Sequence, residues 1–191
     1  MIKNTMPVLF VLMLINFCAV EAQTIRAPID AQVDLIPKIL TLDKNFNPTY
    51  ERKICNIGVI YDSRLKNSSD AEERIKWYSS GKEISIKNCH CEMVPIDISQ
   101  IINVRETFDK NKIKAVYIAP LGDYDVSSLT RICKDKMIRT FTGVDSLFNS
   151  DISILFDLNN YKVQIYINRS SAEKEGIDFS AYLLNIAELK E

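Results

Sequence analysis

Apolar and polar residues alternate along this chain in stretches whose period switches between that of strands and that of helices. Ile54-Cys55-Asn56-Ile57-Gly58-Val59-Ile60-Tyr61 is a near-continuous β-prone run stopped by Asp62 and Ser63, the pattern of a strand covered on both faces. Before it, Val33, Ile36, Ile39, Leu40 and Leu42 recur at helical spacing up to Asn45. They predict a first helix that Pro37 kinks or restarts, because proline lacks the amide donor and crowds the preceding turn. After it, Ser68 and Ser69 offer N-caps to a helix over 70–80 that Gly81 closes. A short strand over 84–87, a crossover helix over 98–110, a strand over 114–119, a helix over 126–136 capped by Asp125 and a strand over 137–142 follow. This order implies a parallel sheet with right-handed crossovers.

The last third changes character. Two β-prone runs, 152–158 and 161–168, flank Asn159-Asn160 and read as a hairpin with a tight turn. A short helical turn from Ser170 ends at Gly176, and Phe179, Tyr182, Leu183 and Ile186 give a final helix its apolar stripe. The predicted class is α/β: three layers, a mostly parallel sheet of about six strands with helices on both faces, and a C-terminal antiparallel hairpin.

The amino terminus stands apart from this pattern. Lys3 precedes an apolar stretch over 7–20 interrupted only by Asn16, and the stretch stops at Val20-Glu21-Ala22. It falls short of the roughly 20 apolar residues that span a bilayer and ends in small residues, as a signal peptide does. Residues 1–22 are therefore expected to be removed on export to the periplasm. Residues 23–30 then form an unstructured leader and 31–191 a single domain.

Lys+Arg number 24 against 25 Asp+Glu, a net charge of -1, so no basic excess exists to neutralise phosphates and no nucleic-acid partner is expected. One His in 191 residues removes most His-dependent triads and multi-His metal centres. No nucleophile-elbow, dinucleotide or phosphate-loop motif is present, so no catalytic residue, cofactor or enzymatic activity is expected.

Four cysteines follow residue 22: Cys55, Cys89, Cys91 and Cys133. In an oxidising compartment they are disulfide candidates with three possible pairings, and one or two bonds worth ~2–4 kcal/mol each are expected. Cys89-His90-Cys91 has the ligand types of a metal site. Alternation in an extended segment sends the two thiols to one side and the imidazole to the other, and no second ligand pair exists, so no metal is assigned.

Open α/β sheets bind ligands beyond the carboxyl ends of their parallel strands. Asp62 and Ser63 after the first strand, Gly122 and Asp123 after the third, and Thr142 and Gly143 after the fourth are the ligand-binding candidates. The competing reading gives the glycines to turns and Asp62 to a helix cap. Trp77 is read as a residue packing helix to sheet in preference to an interface anchor.

The order Ile165-Tyr166-Ile167-Asn168, Ala172, Gly176-Ile177-Asp178-Phe179-Ser180 and Leu183-Leu184-Asn185-Ile186-Ala187 resembles the carboxyl end of the YfiR/HmsC-type periplasmic protein family. The helix ending Leu42-Asp43-Lys44-Asn45 is similar to that family's opening helix. Ile57-Gly58-Val59, Val116-Tyr117-Ile118-Ala119-Pro120 and Thr140-Phe141-Thr142-Gly143-Val144 resemble three of its strands, so the likeness extends over roughly residues 31–189. Asn149-Ser150-Asp151 stands where members often carry a glycine pair. The resemblance implies a periplasmic α/β protein, commonly a homodimer, that regulates a membrane signalling protein such as a diguanylate cyclase by binding its extracytoplasmic sensor domain, within cyclic-di-GMP signalling. The alternative is a periplasmic solute-binding protein whose crevice holds a small-molecule ligand.

Overall fold

The run at 54–61 becomes the strand around which the sheet is built. The computed structural model describes residues 23–48 and 53–190; the expected signal peptide, residues 1–22, lies outside the described residues. The elements run α1 (Ile29–Leu42), β1 (Ile54–Tyr61), α2 (Lys66–Ser80), β2 (Ser85–Ile86), β3 (Cys89–Asp97), α3 (Val104–Lys110), β4 (Ile113–Ile118) and α4 (Val126–Asp135). They continue with β5 (Arg139–Thr142), α5 (Asp145–Phe148), β6 (Ile154–Asn159), β7 (Lys162–Asn168), α6 (Arg169–Lys174), α7 (Ala181–Ile186) and β8 (Glu188–Lys190). One eight-stranded sheet has the order β2-β3-β1-β4-β5-β6-β7-β8. The β3-β1-β4-β5-β6 block is parallel, and β2 and β7 join it antiparallel.

Helices cover both faces, as expected. Ile36, Ile39 and Leu40 of α1, Ala71 and Ile75 of α2, Ala172 of α6 and Leu183 of α7 pack into one core. Phe108 of α3, Leu129 and Cys133 of α4 and Phe148 of α5 pack into the other. The β1 side chains split between them: Ile57 and Val59 face the first, Ile60 the second.

Several boundaries differ from the pattern-based ones. Pro37 sits inside α1, which continues unbroken to Leu42; burial of Val33, Ile36, Ile39 and Leu40 offsets the ~3 kcal/mol that an interior proline costs. Helix α2 begins at Lys66, four residues before the expected start, and Ser68 is no cap. Its hydroxyl is buried and accepts from the Asp62 amide at 2.9 Å. Strand β3, unassigned in sequence, pairs with β1 from His90 to Asp97. Its Pro95 is tolerated because the segment 84–86 covers only the first residues of β3, ending with the Cys91 amide on the Ile84 carbonyl at 2.8 Å, four residues before the proline.

The hairpin is present but its two-residue turn is Asn160-Tyr161, both at positive φ (48° and 61°), with Asn159 opposite Lys162. That is the backbone requirement of a type I′ turn. The stretch expected as an unstructured leader makes specific contacts: Ile25 bridges Val144 and Ala27 is buried. In α7 only Leu183 of the expected stripe is buried inside the helix; Tyr182 and Ile186 are exposed.

One buried carboxylate joins segments far apart in sequence. Asp43, fully buried at the carboxyl end of α1, receives Arg139 Nε at 2.9 Å and Nη2 at 2.8 Å on Oδ2. Its Oδ1 accepts the amides of Asn45 at 2.9 Å and Asp178 at 3.1 Å. Backbone bonds from Lys44 to Asp178 and from Ser180 to Leu42 complete the seam. A charge this deeply buried is tolerated only because each oxygen is paired.

A second buried carboxyl, Glu175, meets Thr140, the neighbour of Arg139 on β5. Its Oε2 accepts the Thr140 amide at 3.0 Å and its Oε1 the Thr140 hydroxyl at 2.6 Å. Burial outweighs these hydrogen bonds and raises its pKa to about 7.

Two outcomes follow from these buried groups. Asp43→Asn should lower unfolding free energy by ~3–5 kcal/mol, because Arg139 is left buried with an uncompensated charge; urea denaturation measures it, and a loss under 1 kcal/mol would place the pair with ordinary surface ion pairs. For Glu175, the unfolded carboxyl ionises near 4.5 while the folded one holds its proton to about 7, so the folded state binds more protons between those values. Stability therefore declines as pH rises through that window, by on the order of 3 kcal/mol, and levels off above it. Denaturation at pH 5 and 8 should show the decline in the native protein and much less of it in Glu175→Gln. Glu72, also raised by burial, contributes a residual slope of the same sign.

Candidate functional site

Strand order fixes where the site lies. From β1 the chain passes through α2 to β3 on one side, then through α3 to β4 on the other side of β1. The connections thus diverge between β1 and β4, a topological switch point where the loops after both strands part and leave a crevice. A crevice of about 490 Å³ opens there, lined by Asp62, Arg64 and Leu65 after β1 and by Leu121, Asp123 and Tyr124 after β4.

The β1 wall is held by carboxylates. Asp62 is buried and accepts Arg64 through its amide at 3.0 Å, Nε at 2.9 Å and Nη2 at 2.6 Å. The guanidinium holds the Asp62 carboxyl below the usual carboxylate range. Behind it, Asp97 ends β3. Its Oδ1 accepts the Ser63 amide at 3.2 Å, the Ser99 amide at 3.0 Å and the Ser99 hydroxyl at 2.7 Å. Burial by itself would raise the Asp97 carboxyl, but these hydrogen bonds outweigh it and hold it low. Its buried Oδ2 has no hydrogen-bond partner among the described residues.

The β4 wall is formed by backbone. Gly122 has φ +57°, and the amides of Leu121 and Gly122 both point to Gln23 Oε1, at 2.6 and 3.0 Å. Gln23 Nε2 returns a bond to the Gly122 carbonyl at 2.9 Å, and Asn67 Nδ2 donates to the Gln23 carbonyl at 2.9 Å. The segment from Gln23 thus crosses the carboxyl ends of β4 and β5, with Arg26 reaching Asp157 at 3.0 Å.

Of the six ligand candidates read from sequence, Asp62 and Asp123 line the crevice, and Ser63 and Gly122 flank it through the Asp97 and Gln23 contacts. Thr142 and Gly143 are elsewhere. Thr142 is fully buried and spends its hydroxyl on the Ile118 carbonyl at 2.9 Å and the Val144 amide at 3.1 Å. Gly143 lies under the Gln32 carboxamide: a Cβ there would stand 2.5 Å from Gln32 Oε1 and 2.9 Å from the Tyr117 hydroxyl. These two residues close the core beneath the leader and leave no face for a solute. Arg64, Tyr124, Asp97 and Gln23 were not singled out by the sequence pattern. The i+2 spacing of Arg64 from Asp62 was the one local signal available.

Among the described residues the structure shows none of the expected disulfides. All four are buried free thiols. Cys133 packs in the opposite core from Cys55, Cys89 and Cys91, so the sheet itself separates it from any partner. Cys55 and Cys91 are register partners on adjacent strands and share a thiol hydrogen bond. That bond, together with burial, pushes the Cys91 thiol far up, while the same bond holds the Cys55 thiol below the usual range. Cys89 and Cys91 point inward while His90 is exposed, the separation that alternation demands. Trp77 is not a packing residue. It is 65% exposed on α2, with the Arg74 guanidinium 4.6 Å from its ring centre, and Arg74 also pairs with Asp30 of α1.

No helix among the described residues is long and apolar enough to cross a membrane. No protein-family model matches the chain, and no curated protein matches it by sequence. Solved structures share its fold. A conserved domain protein from Vibrio cholerae O1 biovar eltor superposes with a TM-score of 0.60 at 17% identity, over 86% of this chain and 60% of that one. The ABC domain in complex with L-Trp from Streptococcus pneumonia gives 0.58 at 14% identity, over 85% and 61%. A ligand-free, open substrate-binding protein with adhesive properties from Clostridium difficile gives 0.48 at 15% identity, over 72% and 54%. The chain spans about three fifths of the length of the first two, and the likeness establishes a shared α/β fold.

Proposed function

We propose that this chain is a binding module without catalytic activity, which holds a small polar molecule in the crevice between the carboxyl ends of β1 and β4. The observation that carries the reading is the coincidence of three features at the switch point. These are an open crevice, a salt-bridged Asp62–Arg64 pair on its wall, and the buried Asp97 oxygen without a partner behind it. The fold shared with the ABC domain in complex with L-Trp is in keeping with it. The 1–22 pattern supports a place of work in the periplasm.

A second reading has one specific observation in its favour, the residue order from Ile165 to Ala187 that resembles the YfiR/HmsC-type family. Under it the chain regulates a membrane signalling protein, such as a diguanylate cyclase, through its extracytoplasmic domain, and acts as a homodimer. The exposed apolar residues Tyr182, Ile186 and Leu189 on α7 and β8 are the surface available for such a contact.

Thermal and chemical denaturation in the presence of amino acids, carboxylates and sugars separates the two readings. A bound solute at 100 times its Kd should stabilise the native protein by ~2.7 kcal/mol, and Tyr124→Ala should abolish most of that gain. If no solute stabilises the protein, while a purified extracytoplasmic sensor domain binds it and Ile186→Asp breaks the complex, the regulatory reading replaces the first.

A further inference from the structure

We propose that the paired amides of Leu121 and Gly122 are a carboxylate subsite of the crevice, and that Gln23 occupies it as a strap which a carboxylate-bearing small molecule displaces. This rests on the reading of the crevice as a solute site and specifies the chemistry of its ligand.

A carboxamide oxygen and a carboxylate oxygen ask the same of a site, N–H donors directed at their lone pairs, and the charged one binds more strongly. Here two successive backbone amides converge on a single oxygen, at 2.6 and 3.0 Å, the arrangement by which backbone nests hold anions. The turn that aims them depends on glycine. Gly122 has φ +57°, and a Cβ would stand 3.1 Å from Leu65 Cδ1 on the opposite wall of the crevice. The same turn also presents the Gly122 carbonyl, which takes the Gln23 Nε2 donor at 2.9 Å. A molecule with an N–H donor beside its carboxylate, as in an α-amino acid, satisfies all three groups at once. The surrounding charges suit such a zwitterion: Arg64, paired with Asp62, is the cation on the rim, while Asp123 on the opposite wall supplies an acceptor for an ammonium group.

The strap is held by contacts of a strength that a ligand can replace. Besides the carboxamide itself, it has the Asn67 bond to the Gln23 carbonyl, the Ile25–Val144 bridge and the Arg26–Asp157 ion pair, whose arginine is exposed. Among the described residues the first fully buried side chain is Ala27, so displacement of residues 23–26 leaves the buried base of the segment in place. Because Gln23 competes from within the molecule, it lowers the apparent affinity by the fraction of time it holds the amides.

Amide NMR of the native protein and Gln23→Ala, titrated with L-glutamine, glutarate and, as a carboxylate-free control, glucose, tests this. The expected result is saturable movement of the Leu121 and Gly122 amide resonances with L-glutamine or glutarate, at roughly tenfold lower concentration in Gln23→Ala than in the native protein. Asn67→Ala, which loosens the strap without touching the amides, should shift the affinity in the same direction by a smaller factor and serves if Gln23→Ala folds poorly. Unmoved Leu121 and Gly122 resonances with both carboxylates overturn the subsite. If glucose or another solute then still moves Asp62 and Tyr124, the crevice reading stands without it. Equal affinities in the native protein and both variants overturn the strap.

Discussion

The buried pair of Asp43 and Arg139 is the contact on which the rest of the architecture leans. It joins the end of α1 to the start of β5 and the loop before α7, which lie 96 and 135 residues from Asp43 along the chain. Exposed pairs such as Lys66–Asp70 and Arg169–Glu173 are worth ~0.2–1 kcal/mol each, whereas breaking a buried, fully paired charge costs several times more. Asp43 and Asn45 are also two of the residues that carry the family resemblance. Their roles here are mechanical: Asp43 receives the Asp178 amide, and Asn45 Nδ2 donates to the Gly176 carbonyl at 3.1 Å. Asn168 and Ser180 in the same motif cap α6 and α7 through Ser171 and Leu183. The motif is therefore explained by the corner it builds, whatever the protein binds.

Helix α1 runs against β5, so its two ends serve opposite ends of the sheet. At the amino ends of the strands Asp43 and Arg139 lock the fold. At the carboxyl ends Gln32, fully buried, donates to the Ala27 carbonyl at 2.7 Å and accepts the Tyr117 hydroxyl at 3.0 Å. This fixes the base of the 23–28 segment over β4 and β5 while leaving the gap between β1 and β4 open. Stability is concentrated at one end and exchangeable polar contacts at the other, where loops free of sheet pairing can bind and release a ligand.

The carboxyl groups of the molecule divide along the same line. Glu175, deep in the core, is pushed up because burial outweighs its hydrogen bonds and the nearby Arg139 charge. Asp62 and Asp97, at the crevice, meet a guanidinium or several donors and are held down, so they stay ionised at neutral pH. Two acidic chemistries in one small protein thus follow from what surrounds each group rather than from the residue type.

Periodicity and local chemistry were enough to establish the α/β class, the helices on both faces, the Asp125 cap of α4, the Gly81 end of α2 and the C-terminal hairpin. Each depends on contacts within a few residues, which a pattern of apolar spacing and cap residues records directly. Strand β3 escaped notice because its alternating Cys, His and Glu and its Pro95 do not look like a buried strand, and only pairing with β1 makes it one. The same limit governs the site. That Asp62 and Asp123 follow parallel strands was legible; that they face each other while Thr142 and Gly143 are sealed inside depends on the order in which β1, β4 and β5 lie side by side. Nothing local marks Gln23, whose partners are about a hundred residues away. Sequence determines what each segment can form, and the assembled sheet decides which loops meet, because that choice is made by packing between segments distant along the chain.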